Sequence, residues 1–509
     1  MSNAPERASW REGRSPFRAI GLLLALYFVT RALSLNALPI FLDEAVHLQW
    51  ADRLVSEGRI LRPVGSGRLL AVLTYGLALP FEDRLWAARL IASMAGALTL
   101  AFTMLLSNQL FGRRASVIAG VLYVLSPFAL VYDRLALSDG FLSACLTALM
   151  FATGRLIQDP TAWPRRAAVA LLVTLAILSK VSAPLFFLTI PLAVAAMAPD
   201  RRAALRAVIV AGALGFLCAS PMLWFFAANS GEIVSQHVVD PAAVGSITVA
   251  TLLDMREWVL SYFTLPALLA AAASALLLRD GRVLWLAGSV ALPFVLFALF
   301  SQPWSARYVL PTLPPLLVLI SGGVDRVASR LRPDIAAAVL LTGLTSSSFF
   351  SFDRALLLDP ARAPFPFDDK LQLVTGWPSG YGVRDIAARL EHEAEGGPTL
   401  VYVDTGGTRT LSTSLAVLLG RHPWIRLIEG DLESASFRDL LIRKNQGPRV
   451  FVVLGPHDTG FDIKSLLASL GAEKLEAYQR PGGEWAGTLF QLTGSANPMG
   501  PPATDERLF

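Results

Sequence analysis

Between residues 17 and 350 the chain is a succession of apolar runs separated by short loops, and this succession limits what it can fold into. A helix that crosses a bilayer needs about 20 predominantly apolar residues. The runs at 17–35, 86–109, 115–132, 138–156, 165–179, 182–198, 204–227, 258–278, 283–300, 308–323 and 333–350 read as eleven such helices. Composition agrees: 54% of residues are hydrophobic and 16% charged, where soluble globular chains have about 25% charged. A water-soluble fold for the whole chain is excluded, and so is disorder, which needs low hydrophobicity.

Loop charges set an orientation. The even-numbered loops carry Arg113–Arg114, Arg155 with Arg165–Arg166, Arg201–Arg202 with Arg206, Arg279 with Arg282, and Arg326, Arg330 and Arg332. They are short and basic, as cytoplasmic loops are. The excess of 44 Lys and Arg over 39 Asp and Glu therefore reads as membrane topology rather than nucleic-acid binding. Arg7, Arg11, Arg14 and Arg18 precede the first run, no small-residue cleavage site follows it, and the run is read as a retained helix. Eleven spans with a cytoplasmic N-terminus leave the tail outside the cytoplasm. The two cysteines, Cys145 and Cys218, form no metal or redox motif and read as buried thiols.

The expected fold is an all-α polytopic membrane domain over 1–350, with about 11 transmembrane helices, and a small C-terminal α/β soluble domain over 351–509. In the tail, TLVYVD (399–404) and RVFVVLG (449–455) read as strands, 409–420 and 460–471 as helices, and 474–479 and 486–492 as further short strands. Gly406–Gly407 lacks the full dinucleotide fingerprint and reads as a turn.

The groups that could carry chemistry fall on the external side. DEAVHLQWADRLVSE (43–57) has Ala45, Leu48, Ala51, Leu54 and Val55 at helical spacing and reads as an amphipathic surface helix. Asp43 and Glu44 stand at its head, where acids also cap helices. His47 lies one turn on, either at a phosphate or at the interface. YDRLALSDG (132–140) brings Asp133, Arg134 and Asp139 into a short turn, and ionisable groups at a membrane boundary are costly unless paired or used. Lys180 in ILSKVSAP and Arg307 in QPWSARYVLPTLPP run against the charge bias and point to an anionic ligand such as phosphate. Trp304 and Tyr308 can equally be interfacial aromatics. His237 and Asp240, three residues apart, could bridge a divalent cation or simply pair, so metal stays unassigned. Acids and bases on one face suit an amphiphilic substrate with an anionic head, such as a lipid-linked phosphate sugar. There an acid would deprotonate an acceptor hydroxyl, and Lys and Arg would stabilise the departing phosphate. A transporter fits the same pattern.

The ordered set of DEAVH after the first run, DRLALSDG after the third, ILSKVSAP and ARYVLPTLPP resembles the C-type (GT-C) polytopic membrane glycosyltransferases, nearest the bacterial protein mannosyltransferase and lipid A aminoarabinose transferase relatives. The resemblance spans roughly 17–325. It implies sugar transfer from a polyprenyl-phosphate donor, with inversion, to an envelope lipid, glycan or protein acceptor at the periplasmic face of the bacterial inner membrane. By position, Asp43 matches the general base, with Glu44 beside it, and Asp139 matches the acid of the second external loop, with Asp133 as the less good match. His47 falls near the donor head group, and Lys180 and Arg307, with Tyr308 next to it, fall in donor-phosphate segments. Many relatives need no metal for a monophosphate donor; no cofactor is assigned and a divalent cation stays an open alternative. Val181 departs from the family's Gly after the Lys. The bet underlying this reading is that Asp43, Asp139, Lys180 and Arg307 share one pocket. The alternatives are a transporter or flippase of a lipid-linked glycan and a non-catalytic envelope assembly protein.

Overall fold

The protein is described from a computed structural model, over residues 17–58, 67–229, 244–300, 305–330, 338, 342–343, 349–405, 409–432, 434, 436–437, 449–456, 467–468 and 470–492. Contacts divide the chain into two compact units. One comprises 1–37, 50–82 and 86–369, the other 38–49, 83–85 and 370–509.

The first unit is helical. Its helices are α1 (Phe17–Ala32), the later part of α2 (Leu42–Glu57), α3 (Leu69–Tyr75), α4 (Arg84–Phe111), α5 (Arg113–Val124), α6 (Pro127–Tyr132), α7 (Ser138–Leu156), α8 (Trp163–Ser179), α9 (Thr189–Met197), α10 (Arg201–Asn229), α11 (Val244–Trp258), α12 (Leu265–Leu278), α13 (Gly281–Phe300), α14 (Leu313–Ala328) and α15 (Phe349–Leu358). Among the described residues, Arg84–Phe111, Arg201–Ala228, Gly281–Leu299 and Ala306–Ala328 are long and apolar enough to cross a membrane. Val249–Phe263 with Leu265–Leu278, bent by 92°, makes a fifth if counted as one span. The count of eleven is thus not recovered by length and composition. Prolines are one physical reason. Pro127 starts α6 after an extended Ser126 and divides the run 115–132, and a short turn at Ala183–Phe186, with Pro184 in it, divides 182–198. A proline lacks the N–H an unbroken helix requires. The run 333–350 lies mostly outside the described residues.

The second unit holds a five-stranded sheet: β1 (Thr399–Asp404), β2 (Ile425–Gly430), β3 (Val450–Leu454), β4 (Ala472–Gln479) and β5 (Trp485–Leu492), in the order β2-β1-β3-β5-β4. β2, β1 and β3 are parallel, and β5 and β4 continue the sheet antiparallel. Alternate residues of a strand face opposite sides. Val401, Val403, Phe451 and Val453 pack with Ile386 and Leu390 of α16 (Val383–Ala394) and Leu411 and Leu415 of α17 (Arg409–Leu419). Tyr402, Val452 and Leu454 pack on the other face with Leu432, Phe437 and Leu492. Both faces of the central strands are covered, which is why β1 and β3 read as nearly unbroken apolar runs. The stretches 460–466 and 406–408, which contain most of the expected second helix and Gly406–Gly407, lie outside the described residues.

A buried polar knot ties α1 to α4, α5 and the end of α6. Tyr27 Oη donates to Asp133 Oδ2 at 3.0 Å and to the Ser93 carbonyl at 2.9 Å. Tyr123 Oη donates to Asp133 Oδ1 at 3.3 Å, and Arg31, 0% exposed, donates to the Val124 carbonyl at 2.6 Å. Arg31 lies 3.9 Å from the same carboxylate. Arg134 donates to the carbonyls of Leu33 and Ser34 at the end of α1. Asp133 and Arg134, read as candidate site residues, are thus engaged in joining helices, which is what burial of such groups in an apolar unit demands. Gly96 supplies the room: a Cβ there would overlap Tyr27 Oη and the Asp133 carboxyl group. Gly96→Ala should therefore destabilise by about 1–3 kcal/mol, as overpacking does, despite the higher helix propensity of Ala. Gly21→Ala, with nothing near its Cβ, should not. Thermal midpoints in detergent check this, and equal behaviour of the two variants would contradict it.

Candidate active site

Three separated stretches of the helical unit bring an acid and a set of cations together. Asp139 sits in the first turn of α7, just after an extended Leu137, and is 3% exposed. Lys180 ends α8 in an extended conformation, its N–H held by the Ala176 carbonyl at 3.1 Å, and its Nζ donates to Asp139 Oδ1 at 2.6 Å. Arg307 and Tyr308 lie in a tight turn, Ala306–Thr312, capped by Ser305. Lys180 Nζ stands 4.2 Å from the centre of the Tyr308 ring and the Arg307 guanidinium 5.7 Å from it, so two cations share one aromatic face system. Arg307 also lies within electrostatic reach of Asp139. Asp139, Lys180, Arg307 and Tyr308 are therefore neighbours.

A fourth charged group was not singled out from sequence. Arg68 is in electrostatic range of Asp139 as well. Its position follows from backbone stitching: Val181 N–H donates to the Gly67 carbonyl at 3.1 Å, so Gly67–Arg68 lies alongside Lys180–Val181. Gly67 has φ +68°, and a Cβ on it would stand 2.8 Å from Val181 Cβ. Val181, where the resemblance implied glycine, thus meets a glycine on the segment beside it. The signal available in the sequence was that glycine, followed at once by Arg. Three cations around one buried carboxylate make a site whose natural addition is an anion.

Asp369 forms a second centre, which was likewise not singled out from sequence, since it follows Pro360, Pro364 and Pro366, residues that mark a stretch rich in turns. It is 0% exposed and accepts hydrogen bonds from Tyr132, from Tyr262 at 2.6 Å and from Ser305 Oγ at 2.7 Å. Ser305 in turn accepts from the Arg307 N–H at 3.5 Å, so this carboxylate anchors the turn that carries Arg307 and Tyr308. Burial pushes the Asp369 carboxyl above the usual range, against the pull of its three hydroxyl donors and of Arg307. Tyr262 belongs to a π-helical turn, Val259–Phe263, that ends at Thr264 with φ 62°, the break between α11 and α12. Such turns and strained residues concentrate at functional sites. Beside it, Asp368 accepts from Trp258 Nε1 at 3.1 Å, and Glu257 accepts from the Phe367 N–H at 2.9 Å.

The acids at the head of α2 belong to the other unit. Asp43 is half-buried, and Glu44 and His47 are buried. Glu44 Oε2 accepts from the Phe41 N–H at 3.0 Å, the reciprocal half of a capping box, so one of its oxygens serves the helix end. Ala45, Leu48 and Ala51 are buried while Val55 is 66% exposed, so the apolar stripe of α2 is covered only along its first turns. His237, Asp240 and Trp304 lie outside the described residues. Among the described residues, no group of three or more His, Cys, Asp or Glu is arranged to hold a metal ion. Cys145 is half-buried and Cys218 exposed, against the expectation for Cys218. The apolar window of α10 is only 28% buried within the protein, which leaves that thiol on an outward face.

Asp368 gives a pH test of this region. Burial, with Asp254, Asp369 and Glu257 nearby, pushes its carboxyl up to about 6, against the Trp258 hydrogen bond. A raised folded-state pKa contributes stability fully present below the unfolded value of 3.8 and lost as pH rises through about 6. Asp368→Asn, which keeps an acceptor for Trp258, should therefore raise the thermal midpoint at pH 8 and leave it unchanged near pH 4. A lower midpoint at pH 8 would contradict the assignment.

Comparison with known proteins follows the same lines. The family model for dolichyl-phosphate-mannose-protein mannosyltransferases matches residues 69–225, from α3 through most of α10. No curated protein matches the chain in sequence. Among solved structures the chain is similar to apo ArnT from Cupriavidus metallidurans, with a TM-score of 0.63 at 14% identity over 95% of this chain and 99% of that one. It is also similar to the same protein bound to undecaprenyl phosphate, with a TM-score of 0.58 at 16% identity over 95% and 99% of the two chains. The chain thus shares the fold of ArnT over nearly its whole length, and within it residues 69–225 match the family model of the dolichyl-phosphate-mannose-protein mannosyltransferases.

Proposed function

We propose that the protein transfers a sugar from a polyprenyl-phosphate donor to an envelope lipid, glycan or protein acceptor. The observation that carries this reading is the cluster of Asp139, Lys180, Tyr308 and Arg307, a set of cations fixed by a buried acid within an apolar helical unit. A lipid phosphate matches it in charge and in surroundings: its tail suits the helices and its head suits Lys and Arg. The similarity to a fold that in another protein holds undecaprenyl phosphate supports the same donor class.

In the proposed reaction Asp43 takes the proton of the acceptor hydroxyl as the oxygen attacks the anomeric carbon. The bond from that carbon to the phosphate oxygen breaks, and the phosphate leaves carrying the bonding pair. Lys180 and Arg307 balance the charge gained by the leaving group, with Arg68 adding to the field, and attack opposite the leaving group inverts the centre. Asp139 holds Lys180 rather than reacting, Glu44 supports the head of α2, and His47 and Tyr308 line the donor head group. The proposed topology has a cytoplasmic N-terminus, eleven spans within 1–350 and a periplasmic domain over 351–509, in a bacterial inner membrane. The 92° break within 249–278 favours a second reading, transport of a lipid-linked glycan, since transporters place broken helices at their substrate sites.

Two substitutions test the roles. Asp43→Asn should lower turnover by about 10²–10⁴-fold, the usual contribution of a general base, while expression and thermal midpoint stay near wild type. Measured with synthetic polyprenyl-phosphate sugars, near-normal turnover would remove the base assignment, and substrate translocation without any transfer would favour the transporter. Arg307→Ala should raise the donor KM by about tenfold or more, as loss of a charged hydrogen bond of about 1.5–3 kcal/mol implies, with the acceptor KM little changed. An unchanged donor KM would argue against a phosphate contact there.

A further inference from the structure

The segment that carries Asp43 belongs, by its contacts, to the same compact unit as the C-terminal sheet: residues 38–49 group with 370–509. The contact is backbone to backbone. Phe41 and Ser379 form an antiparallel bridge, and the Leu42 N–H donates to the Pro378 carbonyl at 3.1 Å. Gly380 presses against the Ile40 carbonyl so closely that a Cβ would overlap it. Its φ is not in the left-handed region, so it is the approach and not the backbone conformation that requires glycine.

Both sides of this contact are fixed. On the side of the tail, Ser379 is 1% exposed, and its Oγ donates to the Leu373 carbonyl at 3.1 Å and accepts from the Tyr381 N–H at 3.4 Å. The Gly380 carbonyl accepts from the Val383 N–H at 3.0 Å, and Gly382, with φ +83°, turns the chain into α16. Val383, Ile386 and Leu390 of α16 are buried in the core on one face of the sheet. On the other side, Leu38, Ile40 and Phe41 are each 5% exposed or less, and Glu44 caps the Phe41 N–H. A continuous run of packed and hydrogen-bonded groups therefore leads from the sheet to the first turn of α2, where Asp43 sits.

We propose that the C-terminal domain is the positioning scaffold of Asp43, acting through the 378–380 strap on residues 40–42. The proposal rests on the reading of Asp43 as general base and adds a role for the tail that this reading does not require. The tail then fixes the direction of the base rather than binding the donor.

Gly380→Ala is the direct test, on the full-length protein in lipid nanodiscs. A misplacement on the scale of an ångström costs on the order of 10²-fold in rate. Turnover should fall by about that factor, with the donor KM within about twofold. The double variant Asp43→Asn/Gly380→Ala should be no slower than Asp43→Asn alone, because residues acting as a unit are not additive. Amide hydrogen exchange, which needs no substrate, should quicken in the peptide covering 38–49 and stay unchanged in α7 and α8. Should Gly380→Ala fail to fold, Ser379→Ala, which removes two hydrogen bonds of the strap, should show the same pattern more weakly. Unchanged exchange at 38–49, a parallel rise in donor KM, or multiplying effects in the double variant would each overturn the proposal. If the wild type transfers no sugar at all, the transferase reading fails by itself, and the exchange result still decides whether the strap holds the segment.

Discussion

The Asp139–Lys180 ion pair is the interaction on which the arrangement around Arg307 and Tyr308 depends. An ionised carboxylate and an ammonium inside an apolar helix bundle cost several kcal/mol each in lost hydration. They persist only with good geometry and further partners, and both are supplied here: a contact of 2.6 Å, with the Tyr308 ring over the ammonium. Three chain breaks converge to make it, the extended Leu137 before α7, the extended Lys180 after α8 and the capped turn at Ser305. The interruptions mark where the fold gives up helical hydrogen bonds to gather charge.

Around this pair the acids divide by task. Asp133 joins α1 to α4 and α5 through Tyr27 and Tyr123. Asp369 anchors Ser305 and thereby the turn of Arg307. Asp139 alone faces Lys180 with Arg68 and Arg307 in range. Each carboxylate is buried, yet only the last lies among an excess of cations. Burial of an acid is therefore a poor guide to function in this chain, and the sign of its surroundings a better one.

Much of this was legible in the sequence, for identifiable reasons. Lys180 and Arg307 stood out because isolated cations at helix ends oppose the charge bias of external loops. The strands at 399–404 and 450–454 were visible because both their faces are buried, which leaves near-continuous apolar runs. β2 was not, because IRLIEG is an edge strand in which only Ile425 is buried and the other residues are half-buried or exposed, with no period-2 pattern. Arg68, marked locally only by the glycine before it, and Asp369 were hidden because each is made significant by a partner distant in sequence, Val181 for the one and Tyr132, Tyr262 and Ser305 for the other. Asp139 was preferred to Asp133 in YDRLALSDG only through the resemblance, and what separates them in the structure is what they meet, Tyr27, Tyr123 and Arg31 for Asp133 and Lys180 for Asp139. The grouping of residues 38–49 with the tail was equally beyond reach, since it rests on a backbone bridge that leaves no side-chain signature.

The central claim is that Lys180, Arg307 and their neighbours form a seat for a lipid phosphate. The most direct measurement is a structure of the protein in nanodiscs with a bound polyprenyl phosphate. The account predicts the phosphate oxygens at hydrogen-bonding distance, about 2.7–3.2 Å, from the Lys180 ammonium and the Arg307 guanidinium, with Asp139 still paired to Lys180. A phosphate bound at another part of the helical unit, with the Asp139–Lys180–Tyr308–Arg307 cluster unchanged and empty of ligand, would contradict it.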